Sequence, residues 1–381
     1  MRALITQRLA ELVGFPTVSA VSNLELLAHV EALVTPLGAR LRRFPDPTGS
    51  KANLLISVGP EVEGGLVFSG HTDIVPATGQ PWTGDAFTLR ETADRLIGRG
   101  ATDMKGFLAV CLAVLPQIAA MPLKRPIHLA FSYDEEVGCT GVWDMAEWVG
   151  ANLRPSLAVI GEPTMMELVE AHKGGCIGWT HLRGLAGHSS QPERGANAVM
   201  HAAELVADIC ALYREFRAGV TSQIFDPPWS TIQVNQIEGG THGNIIAQDA
   251  KFFWEMRLIP GQKPENVIAR MQALAQKHRE AMQEVSADCD IRIDIQARIP
   301  ALAPLSDRTL LAELLTLLNR PEAQAVSYGT EAGIFQGFGV PSVVIGPGSV
   351  KDAHQPDESV AIAQLTDCAD FLLRLTEARA L

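Results

Sequence analysis

The 381-residue chain has no C-x-x-C pair. Its six cysteines, Cys111, Cys139, Cys176, Cys210, Cys289 and Cys368, are scattered. That spacing suits neither a disulfide framework nor a thiolate zinc site, and a reducing cytoplasm is the expected setting. The N-terminus lacks a signal-peptide pattern; Leu4, Ile5, Leu9, Leu12 and Val13 instead recur at the spacing of an amphipathic helix. Long apolar runs are missing too. The longest, Phe107 to Leu115, falls well short of the ~20 residues that a membrane span needs, so a soluble protein with no membrane partner is expected. Positive charge is in deficit. A formal net charge of -12 argues against a nucleic-acid partner, which calls for a basic patch. What is present, 47% hydrophobic and 19% charged residues, supports a sizeable core and excludes general disorder. The length fits one large or two ordinary domains.

Residues 1–175 read as alternating strands and helices. Ala52 to Val58, Leu66 to Ser69, Ile127 to Tyr133 and Leu157 to Ile160 are short apolar runs bounded by turn residues, the pattern of strands buried on both faces. Met104 to Ala120 is apolar on nearly every side and predicts a buried helix. From 176 to 297 the pattern changes to alternating strands around two helices, Ala196 to Phe216 and Pro264 to Val285. The order strand-helix-strand-strand-helix-strand is that of a ferredoxin-like (βαββαβ) module. Residues 298–381 return to α/β character. The expected fold is therefore α/β, with a mixed, largely parallel sheet formed by 1–175 and 298–381 and a module inserted at 176–297.

Four of the predicted α/β strands end in polar clusters. Leu66 to Ser69 leads to His71-Thr72-Asp73, and Ile127 to Phe131 leads to Asp134-Glu135-Glu136. Leu157 to Ile160 leads to Gly161-Glu162-Pro163, and Pro341 to Ile345 leads to a glycine-rich turn with His354 beyond it. A fifth cluster, Gly98 to Gly106, carries Asp103 at the start of the buried helix. In open parallel sheets ligands bind beyond the carboxyl ends of the strands, so these clusters converge if the strands are parallel neighbours. Taken singly, each also suits a helix cap, a core histidine or a solvated turn. Together, histidines and carboxylates without thiolates match a divalent metal site of hard-to-borderline character. Three adjacent carboxylates repel one another unless something positive sits nearby or one holds a proton. Adjacent side chains in an extended segment point to opposite sides. Glu135 and Glu136 can therefore have different jobs, one binding a cation and the other handling protons.

The clusters resemble the M20 family of metallopeptidases. The matching pieces are His71 to Pro76, Gly98 to Gly106, Asp134 to Gly138, Gly161 to Pro163 and Gly187 to Ser190, in the family's order and covering nearly the whole chain. Further pieces resemble the branch of that family that deacetylates N2-acetyl-L-ornithine: Ala171 to Gly174, Gly239 to Ile246, Trp254 to Arg257, Tyr328 to Gly333 and Gly346 to Glu358. Gln355 stands where a lysine is expected.

The resemblance implies two divalent ions, zinc or cobalt. Asp103 would bridge them, His71 and Glu162 would complete one site, and Glu136 and His354 the other. Asp73 would orient His71, and Glu135 would be the general base. A cis peptide is implied between Asp103 and Met104. The resemblance further implies a homodimer formed through the inserted lid/dimerisation module, with His188 reaching the partner's site to stabilise an oxyanion. The implied substrate is a small N-acyl amino acid, with Arg257 for its carboxylate and Asn244, Gly329 and Thr330 lining the pocket. Within the family, a broader N-acyl-amino-acid amidohydrolase, a succinyl-diaminopimelate desuccinylase and a dipeptidase stand as alternatives.

Overall fold

A computed structural model of the chain describes residues 1–19 and 21–381. It divides into two compact units. The first comprises Met1–Ala171, Leu302–Ala325 and Thr330–Leu381; the second comprises His172–Ala301 and Val326–Gly329. The second unit starts before residue 176 and ends after residue 297 because its strands Gly174–Arg183 and Asp290–Ile299 are longer than their apolar cores. Gly174 and Gly175 disguise one strand start, since glycine is depleted in strands. Backbone crowding accounts for the first: a Cβ on Gly174 would meet Ala301 N and Ile299 O at 2.8 Å.

Among the described residues, the first unit is built on an eight-stranded mixed sheet. Its order is Arg40–Pro45, Ala52–Val58, Ile127–Ser132, Leu66–His71, Leu157–Ile160, Ser342–Val344, Val169–His172 and Gln324–Val326. The four strands from Ile127–Ser132 to Ser342–Val344 are mutually parallel neighbours. They are buried at every residue, because helices cover both faces. Ala52–Val58 runs antiparallel beside Ile127–Ser132, and Arg40–Pro45 runs antiparallel to Ala52–Val58 at the edge. The helix Lys105–Ala119 is buried along most of its length and packs against Arg2–Val13 and Ile362–Ala380, making one core. Glycine lets this helix approach the sheet: a Cβ on Gly161 would lie 2.0 Å from the Phe107 ring.

The second unit has a four-stranded antiparallel sheet, in the order Thr231–Gly239, Asp249–Leu258, Gly174–Arg183 and Asp290–Ile299. Buried and partly exposed residues alternate along Asp249–Leu258, as they do in a sheet with one covered face. Two helices, Ala198–Ala218 and Pro264–Gln283, pack on the sheet. Asn197 caps the first by accepting from the N–H groups of Val199 and Met200 at 3.1 and 3.2 Å. The fold is thus α/β with a ferredoxin-like βαββαβ insertion. All six cysteines are free. Among the described residues, no helix is long and apolar enough to cross a membrane.

Candidate metal centre

The carboxyl ends of the four parallel strands deliver histidines and carboxylates to one place in the first unit. His71 is the last residue of Leu66–His71 and is buried. Its Nε2 lies 2.9 Å from Asp103 Oδ1 and 3.8 Å from Glu162 Oε1. On the other side of Asp103, His354 Nε2 lies 3.2 Å from Oδ2, and it lies 3.0 Å from Glu136 Oε2. His71, Asp103 and Glu136 form one group able to hold a metal ion, and His71, Glu135 and Glu162 form another. The peptide between Asp103 and Met104 is cis.

The acidic triplet after Ile127–Ser132 is divided among three environments. Asp134 turns away and pairs with Lys51 Nζ at 2.7 and 2.8 Å. Glu136 meets His354. Glu135 accepts at Oε1 from a thiol, Cys139 Sγ, at 3.2 Å and lies near His71. The mutual repulsion of the triplet is relieved by separating its charges rather than by solvating them.

Asp73 lies against His71, as the resemblance implies, and has a second set of partners. His71 Nδ1 donates to the backbone carbonyl of Asp73 at 3.0 Å, while the Asp73 carboxylate is 3.5 Å away. The carboxylate accepts instead from Ser19 Oγ at 2.8 Å and from the N–H groups of Glu135 and Glu136, each at 3.2 Å. Asp73 therefore fixes the ring of His71 through its main chain and the acidic loop through its side chain.

Two further residues matter that carried no assigned role. Glu358 is fully buried. Its Oε1 accepts from the N–H groups of Thr102 and Asp103 at 2.9 and 3.0 Å, and its Oε2 from Arg99 Nη1 at 2.7 Å. It holds the loop that presents Asp103. Glu331 is also buried, and burial pushes its carboxyl up to about 7. Both lie in stretches that the resemblance had marked, but nothing local shows that their side chains turn inward.

Electrostatics favour cations here. Burial pushes the Glu135 carboxyl up to about 8, with Glu136 and Asp103 adding to the shift and His71 opposing it. Burial, then Asp103 and Glu135, raise Glu162 well above the carboxylate range. Glu136 is raised by burial and by Asp103. Asp103 and Glu136 push His354 up to about 10. Burial opposes the charging of His71, but contacts with Asp103 and Asp73 outweigh it and raise the pKa. The set is two imidazoles and four crowded carboxylates, Asp103, Glu135, Glu136 and Glu162, without a thiolate. It fits two divalent ions in donor chemistry and in charge.

Of the other predicted residues, Thr330 belongs to the first unit and His188, Asn244, Arg257 and Gly329 to the second. In the second unit, His188 forms a bridge with Ile245, and the Ser189 N–H donates to the Asn244 carbonyl at 3.1 Å, so His188 and Asn244 sit side by side. His188 Nδ1 accepts from the Ser190 N–H at 3.2 Å, which leaves the ring proton on exposed Nε2. Arg257 lies on Asp249–Leu258, half-buried and 3.5 Å from Glu255. Gly329 belongs to the second unit, whereas Thr330 is buried in the first.

The fold and sequence have known relatives. Chains named acetylornithine deacetylase from Proteus mirabilis and Yersinia pseudotuberculosis are 33% and 34% identical, and each alignment covers 96% of this chain and 94% or 95% of the relative. Among solved structures, the aminopeptidase PepT from Bacillus cereus superposes with a TM-score of 0.75 at 18% identity, covering 99% of this chain and 98% of that one. An M20 family metallo-carboxypeptidase from Sulfolobus solfataricus gives 0.75 at 17%, covering 96% and 97%. At such identities these two speak for the fold alone. The profile of Peptidase family M20/M25/M40 matches residues 67–378, which include every residue of the histidine and carboxylate cluster, and the chain belongs to that family.

Proposed function

We propose that the chain is a two-metal amidohydrolase that cleaves N2-acetyl-L-ornithine to L-ornithine and acetate. The observation that carries the reaction type is the pair of overlapping metal-binding groups that share His71, one with Asp103 and Glu136 and one with Glu135 and Glu162, with His354 against Asp103 and Glu136. Glu135 is assigned to the proton because its carboxylate accepts from the Cys139 thiol. The choice of substrate is supported by the relatives named acetylornithine deacetylase.

In this reading Asp103 would serve both ions, His71 and Glu162 would hold one, and Glu136 and His354 would hold the other. Zinc and cobalt suit these ligands. When bound, such a pair brings the pKa of water down to about 7 and polarises the acyl carbonyl. Glu135 takes the proton of the attacking water and returns it to the departing amine. Asp73 keeps Glu135 and Glu136 in place through their N–H groups. Arg257 receives the substrate carboxylate, with Asn244, Gly329 and Thr330 lining the pocket. His188 donates Nε2–H to the oxyanion from the partner of a homodimer formed through the inserted module.

The ligand assignment predicts proton release on metal uptake. Metal ligation needs neutral imidazole. In the metal-free chain Asp103 and Glu136 push His354 up to about 10, and contacts with Asp103 and Asp73 raise His71, so the proton competes with the metal in the neutral range. Affinity should therefore rise with pH, about tenfold per unit for each proton displaced. Calorimetric titration of zinc in buffers of different ionisation enthalpy counts the protons. Release of none at neutral pH would contradict the assignment.

The substrate is tested by comparing kcat/KM on N2-acetyl-L-ornithine, N-acetyl-L-methionine, N-succinyl-diaminopimelate and a dipeptide, with cobalt or zinc supplied. We expect acetylornithine to lead by about 100-fold or more, since losing a matched polar contact costs at least that much. Gln355, in place of the expected lysine, is the one feature that favours a broader N-acyl-amino-acid amidohydrolase. Near-equal rates on the two acetylated substrates would establish that reading, and a lead by the dipeptide would overturn both.

A further inference from the structure

We propose that the second unit holds a metal site of its own, between its two helices, for a borderline divalent ion such as zinc. His201, Glu204 and Asp208 recur at three- and four-residue spacing and so share one face of Ala198–Ala218. His278 faces them from Pro264–Gln283. His201 Nδ1 and His278 Nδ1 are 3.2 Å apart, and Glu204 Oε2 lies 3.4 Å from the second and 4.0 Å from the first.

These are close to the edges of a metal tetrahedron. With bonds of about 2.0–2.1 Å, tetrahedral ligand atoms stand about 3.3–3.4 Å apart. Two of the three edges already match. The third closes with a small movement of Glu204, whose side chain is 62% exposed and free to turn.

Asp208 supplies an independent argument. Its Oδ2 lies 3.4 Å from His278 Nε2. A carboxylate there draws the ring proton to Nε2 and leaves the Nδ1 lone pair aimed at His201 and Glu204, the arrangement common behind metal-bound histidine. Two imidazoles and a carboxylate select zinc-like ions over calcium and magnesium, which prefer all-oxygen sites. The ion would tie the two helices together. None of these residues belongs to the cluster of the first unit, so the site stands or falls apart from the proposed hydrolysis.

The test uses the full chain. A parent carrying Asp103→Ala and Glu136→Ala is dialysed against cobalt and, separately, zinc, and bound metal is counted by atomic absorption. The same parent with His201→Ala is treated identically. We expect the third substitution to remove one equivalent, together with the visible cobalt bands of a tetrahedral site. Zinc should raise the unfolding temperature of the parent more than that of the triple variant. In the unmodified background His201→Ala should leave turnover unchanged. Circular dichroism checks folding. If His201→Ala misfolds, His201→Gln replaces it, and the same loss is required. Equal metal content with and without His201, or no metal bound by the parent, overturns the proposal.

Discussion

Glu135→Gln is expected to retain both metal ions and to lose at least about 10³-fold in kcat, with KM little changed. General acid–base catalysis by a positioned side chain contributes about 10²–10⁴-fold, and here one carboxylate serves the water and then the leaving amine. The amide keeps the size of the side chain but cannot accept the proton. Its neighbours show why the role falls to this position. Asp134 is held by Lys51 and Glu136 by His354, whereas the Glu135 carboxylate accepts from the Cys139 thiol with His71 nearby. Burial drives its carboxyl up to about 8 in the metal-free chain; cations bound beside it would lower that value and leave a carboxylate able to take the proton. A loss confined to the transition state lowers kcat and kcat/KM together. Glu136→Gln should differ, with metal lost along with activity. Steady-state kinetics beside metal analysis separates the two patterns. A Glu135→Gln chain within tenfold of the parent would remove Glu135 from the mechanism. The same variant tests the shared site: mixed with His188→Ala, it should regain partial activity in heterodimers, and no recovery despite subunit exchange would count against the role given to His188.

The centre was legible in the sequence where strands end and illegible where distant segments meet. Buried parallel strands read as unbroken apolar runs, so the polar residue after each run is conspicuous. That is how His71, Glu136, Glu162 and His354 stood out before their distances were known. The buried helix announced itself in the same way. What organises those residues is hidden because its partners are remote in the chain. Lys51 reaches Asp134 across 83 positions, and Glu358 reaches Asp103 across 255. No local pattern marks such a pair. The expectation for Asp73 missed its larger task for a related reason: spacing suggests a carboxylate near His71, but only the folded loop shows two N–H groups turned toward it. Edge strands were missed because backbone pairing, not apolarity, defines them. Arg40–Pro45 is rich in arginine and half-exposed, a composition that protects a sheet edge from further pairing.

The second large effect concerns stability. Glu358→Ala is expected to destabilise the first unit by about 3–5 kcal/mol, the usual result of removing one member of a buried ion pair. The side chains of Arg99 and Glu358 are each 1% exposed, so the guanidinium would be left in the interior without its counter-charge. Contacts with Gln80 and with the face of Trp82, 5.0 Å away, do not replace a carboxylate. Two backbone N–H groups, of Thr102 and Asp103, would lose their acceptor as well. At about 2–4 °C per kcal/mol for a unit of this size, the unfolding midpoint should fall by roughly 10 °C. The loss should reach the metal centre, because the same N–H groups fix the loop that aims Asp103, and zinc affinity should drop with stability. A double variant distinguishes this from simple loss of packing. Arg99→Met with Glu358→Leu removes both charges and should recover much of the midpoint, since an apolar pair of similar volume often matches a buried ion pair, while zinc affinity stays low because the N–H groups still lack their acceptor. Calorimetric scans with and without zinc read both quantities. A midpoint that moves by only a degree or two in Glu358→Ala would mean that water reaches Arg99, and that the loop before the buried helix is held by something other than this carboxylate.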